Sequence, residues 1–266
     1  MAYQYEAGFI GAGNMGGALA RAAAKSERTT RLLLSNRTAE KARRLAEELG
    51  AEAMSNREVA AQAEYLFFAV KPQFLNGMLD GIRDVLATRK DRFVIVSMMA
   101  GKDLQTLRGL LGENTPIVRI MPNIPVQVGG GVTLVCPSEQ VTGEELETLR
   151  ELLAASGLVE QLDEHLLDAA TGITGCGPAF AAMFAEALAD GAVACSLPRK
   201  QALSYAAQMM MGTAKLLLET GEHPGSLKDR VCSPGGSTIQ GVRKLEERAF
   251  RSAVTDAVIA AWEKEF

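Results

Sequence analysis

Residues 5–25 read Tyr-Glu-Ala-Gly-Phe-Ile-Gly-Ala-Gly-Asn-Met-Gly-Gly-Ala-Leu-Ala-Arg-Ala-Ala-Ala-Lys. A short apolar run ending at Ile10 has the pattern of a strand, and the alanine-rich run to Lys25 that of a helix. Between them Gly11, Gly13 and Gly16 keep the G-x-G-x-x-G spacing. Glycine triplets arise by chance in a chain with 26 glycines, so the flanking strand and helix give this one its meaning. Gly11 then makes the tight turn, Gly13 admits a pyrophosphate to the backbone, and Gly16 lets helix and sheet pack closely. Asn14 and Met15, which open the helix, are expected to touch the same ligand.

Outward from this turn, apolar strands alternate with amphipathic helices. Strands are expected at Arg31–Ser35, Tyr65–Val70, Phe93–Ser97 and Ile117–Met121, with helices over Ala39–Leu49, Gln73–Leu86 and near Leu104–Leu111. This is the signature of a parallel sheet covered on both faces. Residues 131–136, 142–155 and 157–160 can add one or two edge strands and a helix. Beyond Asp163 the strand pattern stops, and helices are expected at 164–171, 178–196, 198–220, 237–247 and 250–264. The expected fold is therefore an α/β Rossmann-type doubly wound domain, residues 1–162, followed by an all-α dimerisation domain, residues 163–266. The helices after 163 are rich in Ala, Met and Leu on more than one face, as at Met209-Met210-Met211, which in a small domain points to packing against a second copy.

Composition narrows the partners. A net charge of −4, from 28 basic and 32 acidic residues mixed along the chain, leaves no basic stripe for nucleic acid and no polybasic anchor for a membrane. Four scattered cysteines and two histidines form no ligand spacing, so no metal is expected. The opening Met-Ala-Tyr-Gln-Tyr-Glu lacks a leader pattern, and no continuous apolar run approaches the roughly 20 residues that span a bilayer. The expectation is a cytoplasmic protein whose partners are a small molecule and copies of itself, at least a homodimer, with a larger assembly of dimers left open.

The dinucleotide type is read at the end of the second strand. An Asp or Glu there would accept hydrogen bonds from a ribose 2′-hydroxyl, but this chain has Ser35-Asn36-Arg37. An arginine and two polar side chains suit a 2′-phosphate, so NADPH is expected, with NADH as the weaker alternative. A solvated arginine at a helix start is the competing reading of Arg37. Ala69-Val70-Lys71-Pro72 ends a strand at the ligand edge of the sheet and is expected along the cofactor ribose; Asn56 can reach the adenosine or merely cap its helix. Ala100 and Asn123, at the ends of the next two strands, are expected to flank the nicotinamide.

The second informative stretch is 233–246, Ser-Pro-Gly-Gly-Ser-Thr-Ile-Gln-Gly-Val-Arg-Lys-Leu-Glu. A proline and two glycines enter a helix whose first turn carries Ser237 and Thr238, an anion seat beside a hydroxyl. The same residues also read as an ordinary loop and N-cap.

With both ends in place, the chain resembles the pyrroline-5-carboxylate reductase family from about Phe9 to the C-terminus. The resemblance rests on residues 9–15, Ala69-Val70-Lys71-Pro72-Gln73, 118–125, Ile173-Thr174-Gly175-Cys176-Gly177-Pro178-Ala179 and, most specifically, 234–246. It implies the last step of proline biosynthesis, a hydride passing from a nicotinamide to C5 of Δ1-pyrroline-5-carboxylate. It further implies that Ser233, Gly236, Ser237 and Thr238 surround the substrate carboxylate and ring nitrogen, with Glu164 close by. Cys176, Ser237 and Arg230 depart from the residues usual at their places.

Carrying this into chemistry, a ring nitrogen already protonated in water needs no strong acid, so Thr238 need only hold it and relay a proton. The alternative is a Thr238 hydroxyl bonded back within its own helical turn. Two other classes compete. A β-hydroxyacid dehydrogenase or related imine reductase would rely on a lysine in the first interdomain helix, and residues 164–179 contain none. A nucleotide sensor would leave the 233–238 turn unexplained.

Overall fold

The computed structural model describes residues 5–264, and by packing the chain falls into two units that divide between Gly175 and Cys176. The Met-Ala-Tyr-Gln opening read for a leader lies outside the described residues.

The first unit runs β1 (Tyr5–Ile10), α1 (Asn14–Ala23), β2 (Thr29–Ser35), α2 (Ala39–Leu49), β3 (Glu52–Ala53), α3 (Asn56–Gln62), β4 (Tyr65–Phe68), α4 (Leu75–Asp80), α5 (Arg83–Thr88) and β5 (Val94–Ser97). It continues through α6 (Leu104–Leu111), β6 (Ile117–Pro122), β7 (Gly131–Pro137), α7 (Gly143–Leu153), β8 (Gly157–Gln161) and α8 (Glu164–Thr174). The eight strands are ordered β3-β2-β1-β4-β5-β6-β7-β8. All neighbours are parallel except β6 and β7. The strand order reverses direction between β1 and β4, the switch point where open α/β sheets bind ligands.

Alternation along the strands explains the layers. Phe9, Leu34, Phe67, Val96 and Ile120 point to a core roofed by α1, α2 and α7. Their neighbours Ile10, Leu33, Phe68, Ile95 and Ile117 point to a second core under α3, α4 and α6. Because both faces are buried, the strands read as continuous apolar runs. Leu167 of α8 is fully buried in this second core, so α8 packs with the sheet.

The helix expected over 73–86 is broken in two. Pro72–Phe74 forms a tight 3-10 turn before α4, and the chain bends at Gly81 and Ile82. There Arg57 donates to the freed carbonyl of Gly81 at 3.0 Å and forks onto Asp84. The strand β3, two residues long, carries no readable period and was not anticipated.

The second unit holds α9 (Gly177–Ala194), α10 (Arg199–Thr220), α11 (Pro224–Val231), α12 (Ser237–Glu247) and α13 (Phe250–Lys264). Pro178 lies in the first turn of α9, and Gly221, at φ 64°, ends α10 in the left-handed conformation. Few of its apolar side chains are covered. Met183, Tyr205, Met211 and Leu218 remain 69, 61, 59 and 85% exposed. Residues 164–194 contain an 18-residue window of mean hydropathy 1.2, long and apolar enough by length and composition to cross a membrane. Thr, Gly and Asp interrupt this stretch, so it is not a continuous apolar run, and it is divided between the separate helices α8 and α9.

Candidate functional site

The cradle at the switch point is built by what its glycines leave out. Gly11, at φ +115°, has a backbone that only glycine adopts readily, and a Cβ there would lie 2.4 Å from the Ala69 carbonyl oxygen. A Cβ on Gly16 would stand 2.1 Å from the Gly11 oxygen. A Cβ on Gly13, by contrast, would meet nothing within 4 Å beyond its chain neighbours. Gly13 also caps α1 without any side chain, and no acidic residue occupies the first turn. The N–H groups opening α1, at Asn14 and Met15, therefore face an uncapped helix N-terminus, a fit for a pyrophosphate. Lys41 and Arg44 line the same cleft of about 550 Å³.

A second cleft of about 430 Å³ opens beside Ser35, Asn36 and Asn56, sized for a nucleoside. Its polar groups are already in use. Ser35, buried, donates its hydroxyl to Asn56 Oδ1 at 2.8 Å, and Asn36 Nδ2 donates to the Thr38 carbonyl at 3.1 Å. The cap of α3 is Ser55, which forms a capping box with Glu58, so Asn56 is not a plain N-cap. The guanidinium carbon of Arg37 lies over the Phe74 ring, 4.8 Å from its centroid. Val70 is half-buried, whereas Lys71 and Pro72 stand exposed beyond the end of β4.

Ala100 lies in the turn after β5, next to Gly101, which takes φ +67°. Asn123 is buried and braces the chain. Its Oδ1 accepts from Val132 N at 2.8 Å and its Nδ2 donates to the Thr174 carbonyl at 2.9 Å. Only one amide hydrogen is left for a nicotinamide carboxamide.

Glu164 belongs to a cluster that sequence reading missed. Its Oε1 accepts from Leu104 N at 2.7 Å and pairs with Arg119 Nη1 at 3.2 Å, while Asp168 pairs with Arg119 Nη2 at 3.5 Å. Arg119 is only 4% exposed, and the available signal was a charge inside the apolar run Ile117–Met121. Cys136 pairs with Arg119 across the ladder; burial, then the Glu164 charge, pushes its thiol up to about 11. It stays a neutral thiol at physiological pH.

In the second unit, Gly235 at φ 70° turns the chain into α12, which Gly236 caps without a side-chain bond. No acidic residue occupies its first turn. A Cβ on Gly236 would lie 2.4 Å from Ser233 Oγ. The hydroxyls of Thr171, Thr174, Thr213 and Thr220 each donate to the carbonyl four residues back, at 2.7 to 3.0 Å. Thr238 makes no such bond, and it and Ser237 are exposed. Arg230 is held by Glu222 at 2.6 Å, and His223 caps α11, its Nδ1 accepting from Gly225 N at 3.0 Å.

Residues 164–265 match a family model described as pyrroline-5-carboxylate reductase dimerisation, and residues 6–101 one described as NADP oxidoreductase, coenzyme F420-dependent. A pyrroline-5-carboxylate reductase of Escherichia coli (strain K12) is 42% identical over 97% of this chain and 96% of its own length. The chain belongs to the pyrroline-5-carboxylate reductase family. A relative of the same name from Methanosarcina acetivorans is 40% identical over 97% of the chain and 95% of its own length. Among solved structures, a pyrroline-5-carboxylate reductase from Coxiella burnetii superposes with a TM-score of 0.90 at 27% identity, covering 99% of this chain and 98% of that one. A Plasmodium falciparum pyrroline carboxylate reductase with NADP bound reaches 0.86 at 29%, with the same coverage. For this reductase family member, the comparisons bear out the expected fold class, a Rossmann-like sheet domain followed by a helical dimerisation domain.

Proposed function

We infer that this protein reduces Δ1-pyrroline-5-carboxylate to L-proline with NADPH, the closing step of proline biosynthesis. Family membership supplies the reaction. The observation in this chain that carries it is the N-terminus of α12, uncapped, free of acidic side chains and flanked by the unspent hydroxyl of Thr238.

The substrate carboxylate is seated by the first-turn N–H groups of α12 at Ser237 and Thr238, with Gly236, whose own N–H is donated to the Ser233 carbonyl at 3.0 Å, and the hydroxyls of Ser233 and Ser237 beside it. When bound, the reduced nicotinamide supplies a hydride to C5 of the C=N bond. Thr238 Oγ1 holds the ring nitrogen and passes it a proton as its basicity rises. Glu164 acts from its cluster with Arg119; Oε1 is spent there, and Oε2 has no partner among the described residues. On the cofactor side, Gly11, Gly13, Asn14 and Met15 take the pyrophosphate and Arg37 the 2′-phosphate. Ser35, Asn36 and Asn56 shape the adenosine cleft, and residues 69–72, Ala100 and Asn123 line the remainder.

The protein works as a cytoplasmic homodimer, with residues 1–162 binding cofactor and residues 163–266 joining the copies. Four cysteines without a disulfide fit a reducing compartment, and the uncovered apolar side chains of α9 and α10 call for a partner surface. Purified protein mixed with NADPH and Δ1-pyrroline-5-carboxylate should bleach the reduced nicotinamide band and yield proline, and should elute in light-scattering chromatography at twice the chain mass or more. NADPH that binds but is not oxidised would overturn the reaction; a monomer would overturn the assembly.

A further inference from the structure

We propose that Phe74 is a specificity-determining residue of the cofactor site, holding Arg37 by the face of its guanidinium so that the edge is presented to a 2′-phosphate. This rests on the NADPH reading above and names how this chain would select it.

Three observations carry the assignment. First, Arg37 has no hydrogen bond or ion pair among the described residues; its guanidinium carbon lies over the Phe74 ring, 4.8 Å from the centroid. A guanidinium drawn over a ring by its charge leaves its N–H donors unspent, and those are the groups that fork a phosphate. Second, its polar neighbours are occupied. The Ser35 hydroxyl is donated to Asn56 and the Asn36 amide to the Thr38 carbonyl, so the cations near the end of β2 are Arg37, directly after Asn36, and Arg43 of α2, which lines the cleft. Third, Phe74 has no core role to explain it. It remains 43% exposed, at the end of the turn Pro72–Phe74, where its N–H donates to the Lys71 carbonyl at 2.9 Å. A rigid turn thus carries an exposed ring from the end of β4 to a cation at the end of β2, and these strands lie on either side of β1 and its glycine turn.

An unsupported arginine samples many rotamers, and each must be frozen when a phosphate binds. The ring removes part of that cost in advance, so its effect falls on the ligand bearing the 2′-phosphate and not on the one lacking it. Leucine preserves apolar bulk but has no π face; tyrosine keeps one.

The test is titration calorimetry of NADP⁺ and NAD⁺ against the intact protein and its Phe74→Leu, Phe74→Tyr and Arg37→Gln variants. Phe74→Leu should raise the Kd for NADP⁺ about three-fold and leave that for NAD⁺ unchanged. Phe74→Tyr should match the parent protein. Arg37→Gln should raise the NADP⁺ value about ten-fold or more, again without moving NAD⁺. If Phe74→Leu leaves both values alone while Arg37→Gln erases the preference, Phe74 is idle and the inference fails. An equal rise for both ligands in Phe74→Leu marks a merely structural ring and overturns it as well. A parent protein that binds NADP⁺ and NAD⁺ alike, with Arg37→Gln silent, overturns the NADPH reading itself and the inference with it.

Discussion

Gly16 lies directly beneath Gly11, so close that a Cβ on the first would sit 2.1 Å from the carbonyl oxygen of the second. Gly13, between them in sequence, has open space around it. The three glycines of one motif therefore do different jobs, and substitution should separate them.

Gly16→Ala forces a backbone shift and should cost about 1–3 kcal/mol of stability, seen as a lower thermal midpoint, together with weaker NADP⁺ binding. Gly13→Ala should leave the stability within about 0.5 kcal/mol of the parent, since Gly13 at φ −83° accommodates a side chain, yet still weaken binding by obstructing the pyrophosphate. Thermal unfolding and calorimetry on the two variants decide it. Equal loss of stability in both would mean that the space at Gly13 is not held for a ligand.

Thr238→Ala should lower kcat about ten-fold, the loss of one hydrogen bond at the reacting nitrogen, without changing the thermal midpoint. Thr238→Ser should restore most of the rate. Gly236→Val, which crowds Ser233 Oγ, should chiefly raise the substrate KM. Steady-state kinetics identical to the parent in both Thr238→Ala and Gly236→Val would remove the α12 turn from the active site.

The Arg119 cluster gives a third expectation. Arg119→Met strands two carboxylates, each about a quarter to a third exposed, and should destabilise by about 1–3 kcal/mol, below the 3–5 typical of a fully buried pair. Glu164→Gln keeps an acceptor for Leu104 N and leaves Asp168 for Arg119, so it should cost less. Urea unfolding at neutral pH measures both. The reverse order would show that the Glu164 charge, not the Arg119 guanidinium, holds the cluster together.

The sequence by itself determined the alternation of strands and helices, the glycine turn and the helical second half. These are local matters: a side-chain period of two or 3.6, a proline tolerated in a first turn, a glycine where φ is positive. It also marked the uncapped helix start at 233–238, because that feature is written in consecutive residues. Which side chains are still available for a ligand was decided only by tertiary structure. Ser35 and Asn56, 21 positions apart, satisfy each other, and Asn123 joins Val132 to Thr174. Arg119 meets Glu164 and Asp168 only because β6 and α8 pack together, and Arg37 reaches Phe74 only because β1 separates β2 from β4 in the sheet. Hydrogen bonds and stacking depend on distances of 3 to 5 Å, and no spacing along the chain encodes those once the partners belong to different strands.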